Sequence, residues 1–220
     1  YQGVLVYEDS SFVNNRKGGL NITAKGPITL RSVFSAGNGN GDGQWDGAVL
    51  NNHAASGLPS YAGVLLYDCD FNSNDGNGLN VLSDGAIMLY DVNANGNALQ
   101  GASLANDSGY GGVSIFPIGP AARNSFSDNH LTGLTIQSKG TVYLQRVRAH
   151  NNGKSATEPG DGAHVTAAGS NALIRREIDE ATIRRAAVVA VDARATALRE
   201  SGDLLPALEK GRLSEYGMVE

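Results

Sequence analysis

Short alternations of apolar and polar residues, such as "GLNI", "ITL", "GAVL" and "GVLLY", recur along residues 3 to about 168, separated by clusters of glycine, asparagine and aspartate. Period-two alternation predicts strands with one buried face, and the clusters predict the turns between them. The alternations are themselves periodic. "SFVNNRKGGLNITAKGPITLRSVFSAGN" (11–38) returns as "DFNSNDGNGLNVLSDGAIMLYDVNANGN" (70–97) and as "SFSDNHLTGLTIQSKGTVYLQRVRAHNN" (125–152). In each copy a phenylalanine (Phe12, Phe71, Phe126) precedes a leucine (Leu20, Leu79, Leu134) by eight residues. A glycine (Gly26, Gly85, Gly140) follows six later, and four beyond it stands Leu30, Leu89 or Leu144. Each copy divides again into two similar halves. That finer register marks six asparagines, Asn15, Asn38, Asn74, Asn97, Asn129 and Asn152, at intervals of 23, 36, 23, 32 and 23 residues. The repeat is 23 residues, and the longer intervals are loop insertions.

Strands this short leave no residues for hairpins, and no two-residue Asn-Gly turn joins matched long strands. The pattern instead predicts an all-β parallel solenoid of about six coils over residues 1–169, each strand pairing with its counterpart about 4.8 Å along the axis. Right-handed crossing is the default for parallel strands. In such a stack Val33, Cys69, Val92 and Val147 share one inward position, so Cys69 reads as a small core hydrophobe. A buried asparagine is costly unless both donors and its acceptor are used, and a ladder of identical asparagines can use them all. The six asparagines are therefore expected to form a structural ladder, with the glycines supplying positive-φ turns.

These features resemble right-handed parallel β-helix proteins of the pectin-lyase-like superfamily, in particular the Gly/Asn-rich "GLxI…G.ITL..V.A..N" repeats of large bacterial surface or secreted proteins. The resemblance covers residues 3 to about 168 and implies the fold. It leaves function open, because the superfamily includes lyases, hydrolases, tailspikes and non-catalytic stalks. Its lyases hold Ca²⁺ with clustered carboxylates and use Arg or Lys as base. The residues here that match this chemistry are Asp68 and Asp70, flanking the inward Cys69, with Asp91 one coil on and Arg146 two coils beyond that, in the register of Asp91.

The four histidines, His53, His130, His150 and His164, show no metal-ligand spacing, and no metal site is read from the sequence. "GNGNGDGQWDG" (37–47) resembles the Ca²⁺-binding repeats of RTX solenoids, but those need tandem copies and only one imperfect copy is present. It carries the single tryptophan, Trp45. An exposed Trp is a platform for a sugar ring or a partner surface. Together with Tyr61 at the end of "NNHAASGLPSY", Tyr110, and the insertion "GKSATEPGD" (153–161), it marks where ligand contact is expected.

Composition changes sharply near residue 170. Upstream lie all but three of the 29 glycines, and downstream the charged residues crowd into "NALIRREIDEATIRRAAVVAVDARATALRESG". This predicts α-helix over 170–220. Ser170 or Asn171 would cap it, i,i+4 pairs such as Glu180–Arg184 would support it, and Ser201–Gly202 would end it. "AAVVAV" should be buried. Asp203 should cap a shorter helix, "LLPALEK", closed by Gly211. The segment reads as a cap over the open end of the solenoid, as an oligomerisation module, or as a fused piece of other origin.

A net charge of -5 gives no basic footprint for nucleic acid, and no apolar run approaches a membrane span. One cysteine rules out an internal disulfide framework. A start at Tyr1 suits a processed protein or an excised fragment. The sequence thus points to a non-catalytic extracellular or cell-surface module, structural or adhesive, contacting carbohydrate or another protein chain. A polysaccharide lyase or glycoside hydrolase and a homo-oligomer assembled through residues 171–220 are the alternatives.

Overall fold

Fifteen of the alternating segments become strands in two parallel sheets in a computed structural model that describes residues 2–39, 43–53, 61–106, 111–119, 124–153, 162–167, 178, 180–186, 188–191, 193–211, 213 and 218–219. In chain order they are β1 (Val4–Val6), β2 (Ser10–Val13), β3 (Leu20–Thr23), β4 (Ile28–Ala36), β5 (Ala48–Asn51), β6 (Val64–Asp70), β7 (Leu79–Leu82), β8 (Ile87–Asn93), β9 (Ala102–Asn106), β10 (Val113–Phe116), β11 (Asn124–Ser125), β12 (Leu134–Ser138), β13 (Val142–Leu144), β14 (Val147–Arg148) and β15 (Ala163–Ala167). The first sheet runs β1-β4-β6-β8-β10-β13, with β2 beside β4 and β11 beside both β8 and β14. The second runs β3-β5-β7-β9-β12-β15. The chain alternates between the two, and each strand pairs in parallel with its counterpart from the next pass.

Between the sheets lies one apolar cluster, built from the inward residue of every alternation. Val33, Cys69 and Val92 stack as the sequence register requires. In the next pass Asn124 takes this position beside Val147. It is fully buried, accepts from Val92 N at 2.9 Å and donates to Phe116 O at 2.9 Å. Two inward columns alternate large and small. One reads Phe12, Ser35, Phe71, Ala94, Phe126, Ala149, and the other Leu20, Ala48, Leu79, Ala102, Leu134, Ala163. A phenyl ring or isobutyl group needs more height than the roughly 4.8 Å between neighbouring strands, so it overhangs the small residue of the next pass.

The six asparagines follow the first-sheet strands and are joined side chain to side chain. Asn97 shows the full set of bonds. Its Nδ2 donates to Asn129 Oδ1 at 3.0 Å and to Phe71 O at 3.1 Å. Its Oδ1 accepts from Asn74 N at 2.9 Å and Asn74 Nδ2 at 3.1 Å. The side-chain bonds from Asn15 to Asn38, Asn38 to Asn74 and Asn129 to Asn152 complete the run, at 2.8, 2.9 and 3.1 Å. Every donor and both lone pairs of an inner asparagine are thereby used, which removes the penalty of burying it. The residue before each asparagine (Asn14, Gly37, Ser73, Gly96, Asp128, Asn151) lies at φ between 53° and 65°. Glycine, Asn and Asp are the residue types that tolerate this left-handed region best.

The glycines of the Gly-Leu and Gly-Ala pairs have a different role from the one expected. None of Gly19, Gly47, Gly78, Gly101 or Gly133 lies at positive φ. They are glycine because a Cβ would strike the ladder: at Gly78 it would sit 2.6 Å from Asn97 Nδ2. The ladder selects its own glycines.

The C-terminal residues form α1 (Glu180–Arg185), β16 (Val189–Ala190), α2 (Arg194–Glu200), α3 (Leu205–Glu209) and β17 (Met218–Val219). The long helix expected from the charge pattern is interrupted. β16 pairs in parallel with β17, and within "AAVVAV" Val188 is 65% exposed rather than buried. The β-branched run Val188-Val189 favours extended chain over helix. Ser170, Asn171, Arg175, Arg176 and Asp179 lie outside the described residues. Glu180 reaches Lys210 at 2.7 Å. Asp203 accepts from Ile178 N at 3.2 Å, and the cap residue of α3 is Leu204. Gly211 follows that helix at φ 65°, as expected of a C-terminal glycine. Ile183, Ala197, Leu204, Ala207 and Met218 form a small separate core. Ile178 bridges Val142 in parallel, and Arg185 Nη2 donates to Val147 O at 2.9 Å, so this segment lies against the sixth pass of the first sheet.

Two outcomes test this architecture. Asn97→Ala strands partners on both sides within the core and should cost about 3 kcal/mol or more, whereas Asn15→Ala, at the exposed end of the ladder, should cost about 1 kcal/mol. Urea denaturation measures both, and equal losses would contradict an asparagine ladder that holds the core. Burial pushes the Cys69 thiol up to about 11, against smaller opposing effects of backbone hydrogen bonds. Native protein at mildly alkaline pH should therefore react with a disulfide reagent only as fast as it unfolds, with the rate rising along the urea transition.

Candidate functional site

The outer face of the first sheet gathers more of the chemistry-bearing residues than any other described surface. Along its corner run Asp9, Ser32, Asp68, Asp91 and Arg146, at φ 55°, 51°, 53°, 51° and 52°. Here each first-sheet segment bends, or is divided into two strands as at Asp9 and Arg146. Three of the four residues singled out from the lyase resemblance are therefore corner residues. Asp and Ser at these positions suit a left-handed backbone in which Asp is several-fold enriched over most types. Asp91 Oδ1 accepts from Ile118 N at 3.0 Å, and Arg146 Nη1 donates to Gly119 O at 3.2 Å. The two thus hold one loop, Pro117–Gly119, from either side. Ser32 Oγ lies 3.4 Å from Asp68 Oδ2. Asp70 stands two residues along, where its Oδ1 accepts from Asn93 Nδ2 at 2.8 Å.

Beside the corner lies a feature that the sequence reading missed. Tyr67, Tyr90, Phe116 and Tyr143 form a continuous half-exposed stack, with ring centroids 5.0, 5.7 and 4.9 Å apart and planes inclined by 25° to 32°. Arg31 closes one end, its guanidinium carbon 5.2 Å from the Tyr67 ring. Arg31, Tyr67, Tyr90 and Phe116 share one register position, each immediately before the corner or the turn that replaces it. The signal was present in "LLYD", "MLYD" and "SIFP", outward positions of strands already in register. Because the rings face one another, the stack offers its edges to solvent. It is a rigid amphipathic ridge more than a platform for sugar rings.

The loop residues proposed for contact are not brought together. Trp45 is 36% exposed on the turn between the first and second sheets, and Lys17 Nζ lies 5.3 Å from its ring centroid. One face of the indole is thereby taken. The neighbouring Asp46 carboxylate accepts from Asn77 N at 2.8 Å and Asn77 Nδ2 at 3.0 Å, so it braces the next pass. Tyr61 is 82% exposed, but it lies at the opposite corner, where the chain returns to the first sheet. Tyr110 and residues 154–161 lie outside the described residues.

His53 does have an acidic neighbour, which its spacing concealed: Nδ1 lies 2.6 Å from Oδ1 of the buried Asp84 in the next pass. His164 is exposed on β15, in register with Thr135 of β12, with Nε2 3.3 Å from Thr166 Oγ1. His130 borders an open depression of about 350 Å³ over the ladder corner, together with Asp75 and Asp128. Among the described residues no group of three or more His, Cys, Asp or Glu is placed to hold a metal ion. No family model, curated protein or solved structure matches the chain.

The corner assignment makes a prediction that a catalytic assignment does not. Asp68→Asn should leave stability within about 0.5 kcal/mol, since asparagine tolerates the same backbone, while Asp68→Val should cost about 1–2 kcal/mol. Thermal unfolding of both variants tests it, and a harmless valine would remove the backbone explanation.

Proposed function

We propose that this chain is a right-handed parallel β-helix of six rungs. It acts as a non-catalytic structural or adhesive module outside the cell, presenting the outer face of its first sheet to a protein or carbohydrate partner. The unbroken parallel register and the asparagine run support the β-helix. The Gly/Asn-rich repeats of surface and secreted proteins, which the sequence resembles, support its placement outside the cell. One observation carries the non-catalytic reading: three of the four candidate catalytic residues occupy a backbone corner, and two of these, Asp91 and Arg146, hold a loop. The aromatic ridge beside them is rigid and half-exposed, with both apolar and polar edges, which is the composition of a contact surface.

A polysaccharide lyase or hydrolase is the second reading, favoured by Asp68 and Asp91 standing at the same corner in successive passes beside the aromatic ridge. The two readings separate in a glycan array run alongside a degradation assay, with and without added Ca²⁺. The module should bind without turnover, and Tyr90→Ser should weaken capture about tenfold, the scale of a truncated aromatic anchor. Unsaturated or hydrolysed product that disappears with Asp91→Asn would establish the enzyme instead.

A further inference from the structure

A second polar column lies at the corner where the chain leaves the second sheet for the first. In register order it reads Ala24, Asn52, Ser83, Asn106, Ser138 and Ala167. The four polar members are buried. Serine and asparagine alternate there with the length of the corner. From β7 to β8 the chain turns within residues 83–86, and from β12 to β13 within 139–141. In these tight turns the serine hydroxyl meets the glycine two residues on. Ser83 Oγ lies 3.2 Å from both Gly85 N and Gly85 O, and Ser138 Oγ lies 3.1 Å from Gly140 N and 3.0 Å from Gly140 O.

From β5 to β6 the corner is extended to residues 52–63, and from β9 to β10 to residues 107–112. Here the longer amide clasps the neck of the insertion. Asn52 Nδ2 donates to Ala62 O at 2.8 Å and to Gly63 O at 3.2 Å, and Asn106 Nδ2 donates to Gly111 O at 2.6 Å.

Each clasp leaves one atom over. Asn52 Oδ1 and Asn106 Oδ1 are fully enclosed, and no donor reaches either of them among the described residues. Turning the amide over would set its oxygen against the carbonyls that now hold its nitrogen, so these partners fix the orientation. The next member of the column is Ser83 in one case and Ser138 in the other, and each serine directs its hydroxyl hydrogen to its own glycine carbonyl. A buried carbonyl oxygen without a donor is costly, so whatever satisfies it must bring its own hydrogen.

The chemistry of the ligand follows from these oxygens. A hard cation needs several oxygens together, but each site offers one unpaired oxygen, and the two sites lie two passes apart, about 10 Å. Among the described residues no group of three or more His, Cys, Asp or Glu is placed to supply the rest. A single small neutral donor fits instead. Serine is smaller than asparagine by roughly the volume that one water occupies, and its hydroxyl oxygen keeps a lone pair for a second bond.

We propose that this corner binds two internal waters, one beside Asn52 and Ser83 and one beside Asn106 and Ser138. Each water donates one hydrogen to the asparagine Oδ1 and the other to the serine Oγ. The water completes the clasp. It allows an asparagine, long enough to hold the neck of an insertion, to occupy a column whose tight turns need only serine. The repeated site accounts for both unpaired oxygens by one arrangement.

The test uses the full chain and water itself as the probe. Magnetic relaxation dispersion of the water ¹⁷O nucleus counts waters held inside a protein. Asn52→Leu and Asn106→Leu keep the size of the side chain and should each lower the count by one, and the double variant should lower it by two. Ser83→Thr and Ser138→Thr keep the hydroxyl and both clasps but fill the adjacent space with a methyl group, and each should also lower the count by one. Circular dichroism shows which variants keep the parent's β spectrum, and the threonine variants carry the test if a leucine variant does not fold. A count that stays at the parent value in the folded variants overturns the proposal. So does a crystal structure in which a metal ion, or a backbone N–H of the inserted loop, sits against either Oδ1. Water density bonded to both Oδ1 atoms, lost in the matching variant, establishes it.

Discussion

A buried primary amide has two donors and two lone pairs to place, and the interior of a β-structure offers few groups to receive them. Here the amide of the next pass and one backbone carbonyl receive the donors, while the preceding asparagine supplies two hydrogens to the lone pairs. This arrangement works only if each pass arrives at the same height and the same register as the last. The asparagines therefore act as a gauge along the chain. They fix where the first-sheet strand ends, require a left-handed residue just before, and exclude a side chain from the glycine at the start of the next strand.

Much of the surface follows from this constraint. With the ladder fixing one corner, the bend within each first-sheet segment forms a second line of left-handed residues, and these are the positions of Asp68, Asp91 and Arg146. An outward position just before that bend repeats at strand spacing in three successive passes, so aromatic residues placed there meet face to face. The acidic corner and the aromatic ridge are thus adjacent because of a single bend in the backbone.

The strands, their parallel partners and the asparagine register were legible because each is a periodic signal, repeated six times and disturbed only by insertions. The surface was less legible for three physical reasons. A carboxylate at a repeated position looks alike whether chemistry or a positive φ selects it, and only the backbone angle separates the two at Asp68. The Tyr67–Tyr90–Phe116–Tyr143 stack depends on how outward side chains lean, which strand periodicity does not encode. The pairing of His53 with Asp84 spans an insertion, so sequence distance hides a contact between neighbouring passes. In the C-terminal segment the charge spacing suggested one long helix, but a run of valines chose extended chain and a strand partner far along the sequence.

The alternation of Phe with Ser or Ala, and of Leu with Ala, has a consequence for how such a chain can change length. Removing or duplicating a single pass would bring two large residues, or two small ones, onto adjacent levels, producing a collision at one height or a void at the next. Removing or duplicating two passes preserves the order. Lengthening by gene duplication is therefore permitted in even steps, and the inheritable module of this architecture is a pair of passes rather than the single turn marked by each asparagine.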